Sequence, residues 1–290
     1  MVIWWGKELV MLYNDAWRPV LGLTKHPIAL GRPGKEIWAE IWDIIGEQLN
    51  RVLSTGEATW SEDLLLLVDR YGYTEESYFT YSYSPIFLET GEVGGAFTAV
   101  AETTQRVLGE RRTKTLRDLA ERVGLTKTTE QACQLAIETL ANNPYDIPFA
   151  MLYLLSEDGK EAQLCKSTPM EAGEIATSRV VDLTQIQNEE VNWPFASVVQ
   201  TGSTIVVENL QQKFGAMPSG AWTSSPSQAL ILPLHAVGQE QLAGFLIVGV
   251  NPCRVLDDDY RDFLKCQQGT LPMRSPMPMP TKPNASEQKL

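Results

Sequence analysis

The spacing of apolar positions changes along the chain, and the changes divide it. Ile3–Trp5 and Val10–Tyr13 are short apolar runs on either side of Gly6–Glu8, the pattern of two strands and a hairpin turn. Asn14-Asp15 supplies a helix N-cap for Ala16–Leu21, and Gly31-Arg32-Pro33-Gly34 is turn chemistry. Trp38, Ile41, Trp42 and Ile45 then recur at helical spacing from a short helix at Lys35–Ile44, and Leu49, Val52 and Leu53 give Gly46–Thr55 one apolar face. Beyond this the period falls to two. Ala58–Val68 predicts a strand whose Leu64–Leu67 run is buried on both faces. Glu76–Ile86 sets Tyr78, Thr80, Ser82 and Ser84 against Phe79, Tyr81 and Tyr83, and Val93–Ala101 follows a turn at Glu89–Glu92. The predicted order is two strands, three helices and three antiparallel strands that close on the first two.

At Glu102 the composition shifts. Glu102–Val123 is charged and free of proline, with Leu116, Leu119, Ala120 and Val123 at the spacing of one helix face. A long, half-polar helix of this kind is a connector or a weak coiled-coil seam, with Leu108, Leu116, Leu119 and Val123 as the seam of a homodimer. A second apolar system follows. Thr128 or Thr129 caps a helix at Glu130–Ala141, and Phe149–Leu155 and Glu161–Lys166 flank a turn at Glu157–Lys160. After a polar stretch come a short helix at Trp193–Gln200, an edge-like strand at Thr204–Glu208 and a loop at Phe214–Ser227. Two strands, Gln228–Val237 and Gln241–Val250, meet at a Gly238-Gln239 turn, and Asp257–Asp259 opens a helix to Gln267. The run PMRSPMPMP has no apolar face and predicts disorder. The fold class is therefore α+β. The boundaries fall at 1–103 for a first domain, 104–126 for a connector helix, 127–268 for a second domain and 269–290 for a disordered Met/Pro-rich tail.

A chain of 290 residues with 43% hydrophobic content suffices for two ordinary domains. A net charge of −12 argues against nucleic acid, which requires clustered Lys and Arg. No apolar run approaches the ~20 residues of a membrane span, and the N-terminus lacks the pattern of a signal peptide, so the cytoplasm is the expected location. Cys133, Cys165, Cys253 and Cys266 are dispersed and lack the spacing of a metal site, reading as small buried hydrophobes. Six of the eight tryptophans lie in the first 60 residues, which reads as an aromatic-lined cup. Trp4, Tyr13, Asn14, Trp17, Trp38, Trp42, Tyr81 and Tyr83 are the candidates to line a ligand pocket, with simple core packing as the competing role for the aromatics and an N-cap role for Asn14.

The segments WWGKELVMLYNDAWRPVLG, GRPGKEIWAEIWDIIG, GEATWSEDLLLLVDRYGYTEESYFTYSYSPI and GEVGGAFTAVAETTQRVLGERR resemble the PAS domain, with its C-terminal PAC strands, of bacterial multi-domain sensor histidine kinases. The stretch from PFAMLYLLSEDGKEAQL to LPLHAVGQEQLAGFLIVGVNPCRVLDDDYRDFL is similar to the GAF domain that follows it there. The resemblance covers residues 1–268. It implies two tandem domains, each an antiparallel sheet flanked by helices around a pocket, joined by the connector helix. It also implies an input role in two-component signalling (a phosphorelay): a small ligand or a partner biases the sheet, and the helix passes the change to a kinase or response-regulator output module in the parent protein. Homodimerisation through helices belongs to the same expectation.

Catalytic groups are missing from the sequence. His26 precedes a proline and His235 lies within a predicted strand, so neither sits in an acceptor helix, and no glycine-rich nucleotide loop follows. The expectation is that this chain is not an enzyme. GRPGKEIWAEIW lacks the cysteine of flavin photosensors, no cysteine is followed by histidine as in bilin-binding GAF domains, and His26 is the one candidate for a haem ligand. Asp146-Ile147-Pro148 resembles a short bilin-domain motif. Neither a cofactor nor a metal is expected. Two alternatives stand beside the sensory reading. One is a truncated remnant of a kinase, since Met1 begins inside the first strand and the last helix gives way at Gly269. The other is a GAF-fold thiol enzyme such as a free methionine sulfoxide reductase, which needs closely placed cysteines.

Overall fold

The computed structural model describes residues 1–168, 176–184, 192–236 and 241–271. It divides into two compact units, residues 1–110 and 111–290. In the first, β1 (Val2–Trp5) and β2 (Val10–Tyr13) pair antiparallel with Trp4 opposite Met11. A 3-10 turn at Asp15–Trp17 leads into α1 (Arg18–Lys25), followed by α2 (Gly34–Ile37), a second 3-10 turn at Ala39–Ile41 and α3 (Trp42–Thr55). Three long strands, β3 (Thr59–Asp69), β4 (Thr74–Phe87) and β5 (Val93–Glu102), complete an antiparallel sheet of order β2-β1-β5-β4-β3. Period-two alternation on β4 turns Phe79, Tyr81 and Tyr83 into one core with Trp4, Trp17, Trp38, Ile45 and Leu49.

Local details depart from the sequence expectation. Asn14 occupies the N-cap position, but its side chain caps nothing and instead accepts from the Met1 α-amino group at 3.2 Å. The expected break between two helices at Ile44–Gly46 falls earlier, at Trp38–Ile41, and Gly46 lies inside α3. Its role there is space: a Cβ on Gly46 would meet the Trp42 indole at 2.7 Å. The leucine run on β3 is not buried on both faces. Leu66 and Val68 are buried and Leu64 packs beside them, while Leu65 and Leu67 are half-buried because alternation turns them to the other face of the sheet.

The helix α4 (Thr104–Gly124) begins in the first unit and continues into the second. There α5 (Thr129–Ala141) is capped by Thr128, whose hydroxyl accepts from the Gln131 N–H at 3.2 Å. The remaining elements are β6 (Ala150–Leu155), β7 (Glu161–Ser167), β8 (Val180–Asp182), α6 (Phe195–Thr201), β9 (Ile205–Val207), α7 (Leu210–Phe214), β10 (Ala229–His235), β11 (Leu242–Gly249) and α8 (Asp258–Thr270). The strands form an antiparallel sheet of order β8-β7-β6-β11-β10-β9. Both faces of its centre are buried. Ala150, Leu152, Leu230, Leu232, Leu246 and Val248 join a core with α5 and α8, while Met151, Tyr153, Ile231, Phe245 and Ile247 join another with Phe195, Leu210 and Phe214. This explains the unbroken apolar runs of β10 and β11. The short β8 and α7 give no periodic signal and were not anticipated. The Gly238-Gln239 turn and residues 272–290 lie outside the described residues, and α8 runs through Gly269 to Thr270.

Gly22 is irreplaceable by geometry. It has φ +63 within α1, and a Cβ there would lie 2.3 Å from the Arg70 carbonyl oxygen. That oxygen also accepts from the Leu23 N–H at 2.9 Å, so the backbone on both sides is committed. Gly22→Ala is expected to destabilise the first unit by about 2 kcal/mol or more, read as a lowered urea midpoint in tryptophan fluorescence.

Candidate functional site

Between the helices and the sheet of the first unit lies a cavity of about 40 Å³. Trp4, Trp17, Trp38, Tyr81 and Tyr83 line this cavity, with Val20, Ile41, Ile45, Leu66 and Val68 among the aliphatic wall. Three of the sequence candidates lie outside its lining. Asn14 is exposed, the Tyr13 phenol is hydrogen-bonded to His26 Nδ1 at 3.1 Å, and Trp42 packs at the back of the core against Gly34 and Gly46. His26, considered as a haem ligand, is thus occupied by Tyr13 and also stands outside the cavity wall.

The polar atoms of the wall are few and unequal. Trp4 Nε1 donates to Thr98 Oγ1 at 2.7 Å, and the Tyr81 hydroxyl donates to Gln48 Oε1 at 2.8 Å. Burial pushes the Tyr83 phenol well above its ordinary value, so it stays protonated. Trp17 and Trp38 are at least nine-tenths buried, and neither indole N–H has an acceptor among the described residues. Lys25 Nζ lies 4.8 Å from the centre of the Trp38 ring, which fixes that indole by a cation–π contact. A buried donor without an acceptor costs about 1–3 kcal/mol. The cavity therefore favours a small, mostly apolar guest that presents hydrogen-bond acceptors to two indoles.

Sequence patterning missed the group that ties this cavity to α4. Arg70, on the turn after β3, is 4% exposed. Its Nε donates to Glu75 at 2.7 Å, its Nη2 and Nη1 donate to the two oxygens of Glu102 at 2.6 and 2.9 Å, and its guanidinium lies 5.9 Å from the centre of the Phe79 ring, which lines the cavity. Glu102 ends β5. Just beyond it, the Thr103 N–H donates to the Tyr78 carbonyl at 2.8 Å and Thr104 Oγ1 accepts from the Tyr78 N–H at 2.9 Å. Arg106, one turn into α4, pairs with Asp63 on the β3 bulge. A charged residue in a turn gives no sequence sign of burial, so only the fold reveals the clasp.

In the second unit α4 is held as firmly. Leu119 and Val123 are fully buried in the core with Cys133, Ala136 and Leu140, and Leu116 packs against the same cluster. This corrects the expected homodimer seam. The face of α4 carrying Leu116, Leu119 and Val123 is consumed by its own domain, and Leu108 is likewise buried, at 2% exposure. The spacing was that of a helix packing on a sheet domain, which a coiled coil shares. Asp146, whose triplet resembled a bilin-domain motif, is wholly buried. It accepts from Arg111 Nε at 2.7 Å, Arg112 Nε at 3.2 Å and Asn143 Nδ2 at 3.0 Å. The Tyr260 hydroxyl on α8 donates to the Asp146 carbonyl. Burial opposes the charge, yet the two guanidiniums and Asn143 hold the carboxyl below the ordinary aspartate value.

With this geometry established, the comparisons with known families are decisive. The family model for the PAS fold matches residues 6–108, and the model for the GAF domain matches residues 124–266. The chain is a PAS–GAF tandem. No curated protein matches it. Among solved structures, it is similar to the GAF domain of an Acinetobacter phosphoenolpyruvate-protein phosphotransferase at 14% identity, covering 56% of this chain and 90% of that one with a TM-score of 0.39. A putative GAF sensor protein from Burkholderia vietnamiensis is 15% identical, with 58% and 94% coverage and a TM-score of 0.41. A free methionine-R-sulfoxide reductase from Neisseria meningitidis is 14% identical, with 56% and 86% coverage and a TM-score of 0.40. No helix among the described residues is long and apolar enough to cross a membrane.

Two expectations follow for the second unit. Leu119→Asp unfolds the GAF domain, by about 4 kcal/mol or more, instead of merely separating two chains, and a urea titration followed by circular dichroism reads this. Asp146, with its folded pKa lowered, contributes stability that is complete above the ordinary aspartate pKa of about 3.9 and is lost as pH falls through the lower folded value. Below about pH 4 the GAF domain of wild type therefore loses stability more steeply than that of Asp146→Asn, which starts less stable at neutral pH.

Proposed function

We infer that the tandem is a sensory or regulatory module, as its PAS and GAF domains indicate. We propose that its first unit is the input: it takes a small, largely apolar ligand bearing hydrogen-bond acceptors into the tryptophan-lined cavity. Occupancy is read out through Arg70 and Glu102 at the root of α4. The observation that carries this reading is the pair of buried indole N–H groups, Trp17 and Trp38, left without acceptors in the wall of an otherwise apolar cavity. The path onward is short. Phe79 lines the cavity and touches Arg70, and its neighbour Tyr78 holds Thr103 and Thr104. A ligand that binds one arrangement of this clasp better than another shifts the population of α4 states.

We further propose that the chain acts in the cytoplasm within two-component signalling, delivering this signal to a kinase or response-regulator partner, and that it catalyses nothing itself. Supporting this, His26 is engaged by Tyr13 and His235 lies on strand β10, so neither is presented as a phosphoacceptor on a helix. Any homodimer must use surfaces other than the buried face of α4.

Native mass spectrometry of the purified full chain tests the input role. A retained or added small molecule is expected at one copy per chain, and Trp17→Phe and Trp38→Phe should each weaken it about five- to tenfold, the worth of one hydrogen bond. Val20→Phe, which fills the cavity, should abolish it. A ligand held equally by all three variants would place the site elsewhere, and no ligand from a panel of small aromatic acids and amides would remove the input role.

A further inference from the structure

The four cysteines are dispersed in sequence, but the fold of the GAF domain brings two of them together. Cys133 lies on the buried face of α5 and is fully enclosed, and Cys165 lies on β7, directly beneath that helix, half-buried. Both belong to one side-chain cluster. The register explains why Cys165 points there. Tyr153 on β6 pairs with Leu164, and the adjacent Leu152 pairs with Lys166, so Cys165 is the extra residue of a β-bulge. Strand alternation sets consecutive residues on opposite faces of the sheet: Leu164 packs with the cluster of Tyr153 and Phe195, and Cys165 packs with that of Cys133.

The two thiols of this cluster are chemically unequal. Interaction with Cys133 holds the Cys165 thiol below its ordinary value, with Lys166 assisting and burial and Glu130 opposing, while interaction with Cys165 together with burial raises Cys133. The more accessible sulfur is thus the one that ionises more readily, and the enclosed sulfur stays protonated. That is the division of labour of an attacking and a resolving thiol.

We propose that Cys133 and Cys165 form a redox-sensing pair that hydroperoxides convert to a disulfide joining α5 to β7. The Cys165 thiolate attacks the peroxide O–O bond, forming Cys165–SOH and releasing an alcohol (water, from hydrogen peroxide) once the departing oxygen takes up a proton. The Cys133 sulfur then attacks the sulfenic sulfur, its proton leaves with the hydroxyl as water, and the S–S bond forms. Two thiols are oxidised, one peroxide is reduced, and a thiol reductant restores the pair. This goes beyond ligand input in the PAS cavity, because the disulfide lies in the second unit's core, which also contains Leu119 and Val123 of α4.

The test uses the full chain as Cys266→Ser, which removes the exposed thiol of α8. After reduction, the chain is treated with hydrogen peroxide, the remaining thiols are blocked, and the protein is digested and mapped by mass. The expected product is a cross-link of the peptides carrying Cys133 and Cys165, lost on adding dithiothreitol. Before oxidation, Cys165 should alkylate at least about tenfold faster than Cys133. In a further Cys133→Ala variant, Cys165 should stop at a sulfenic acid trapped by dimedone, and Cys165→Ser should form no cross-link. The map of the Cys133-containing chain stands even where these variants do not fold. Free Cys133 and Cys165 after excess peroxide, or a cross-link to Cys253 in their place, would overturn the proposal.

Discussion

A guanidinium buried among aromatic rings persists only while carboxylates hold it, and Arg70 places that demand on the whole PAS domain. It needs Glu75 from β4 and Glu102 from the end of β5, and its Nη1 also donates to the Pro19 carbonyl at 3.3 Å. Burial works against the charge, and the two carboxylates outweigh it. One side chain thereby fixes the turn after β3, the entry of α1 and the exit of the sheet into α4. Losing one partner leaves an uncompensated charge, a cost of about 3–5 kcal/mol. Phe79 of the cavity wall and Glu102 at the end of β5 are both neighbours of this one guanidinium.

The GAF domain meets the same requirement with reversed signs. Asp146 is the buried ion and Arg111 and Arg112 are its partners, with Arg112 also 4.4 Å from the centre of the Tyr260 ring. The Tyr260 hydroxyl donates to the Asp146 carbonyl and accepts from the Asn251 N–H at 2.9 Å, so α4, the loop before β6 and α8 converge on one aspartate. The half-polar composition of α4 follows from this. Arg111 and Arg112 pair with the buried Asp146, and Leu116, Leu119 and Val123 pack into the core of the same domain.

Strand and helix order was legible because hydrophobic period reports burial, and burial is what selects those elements. Phe79, Tyr81 and Tyr83 alternate with Tyr78, Thr80 and Ser82, and the core divides them that way. The clustered tryptophans likewise marked the cavity through Trp4, Trp17 and Trp38. Features that depend on contacts between distant positions were not legible. A heptad-like face on α4 reads the same whether it meets a second chain or its own sheet. Arg70, Glu102 and Asp146 look like surface charges until the partners 32 and 35 residues away are in place. The break in the second helical segment was misplaced because Gly46 was read as a backbone feature when its purpose is to accommodate the Trp42 ring.

The cysteines show where that limit bites hardest. Counting residues between Cys133 and Cys165 measures loop length, and loop length says nothing about whether two sulfurs meet. Their meeting depends on strand register: Leu164 shares the face of its partner Tyr153, and Cys165, the next residue, takes the other face. A single-residue slip of β7 would reverse both side chains and carry Cys165 to the face away from Cys133. The register of one strand thus decides whether the cysteines of α5 and β7 share a core or stand on opposite faces of the sheet.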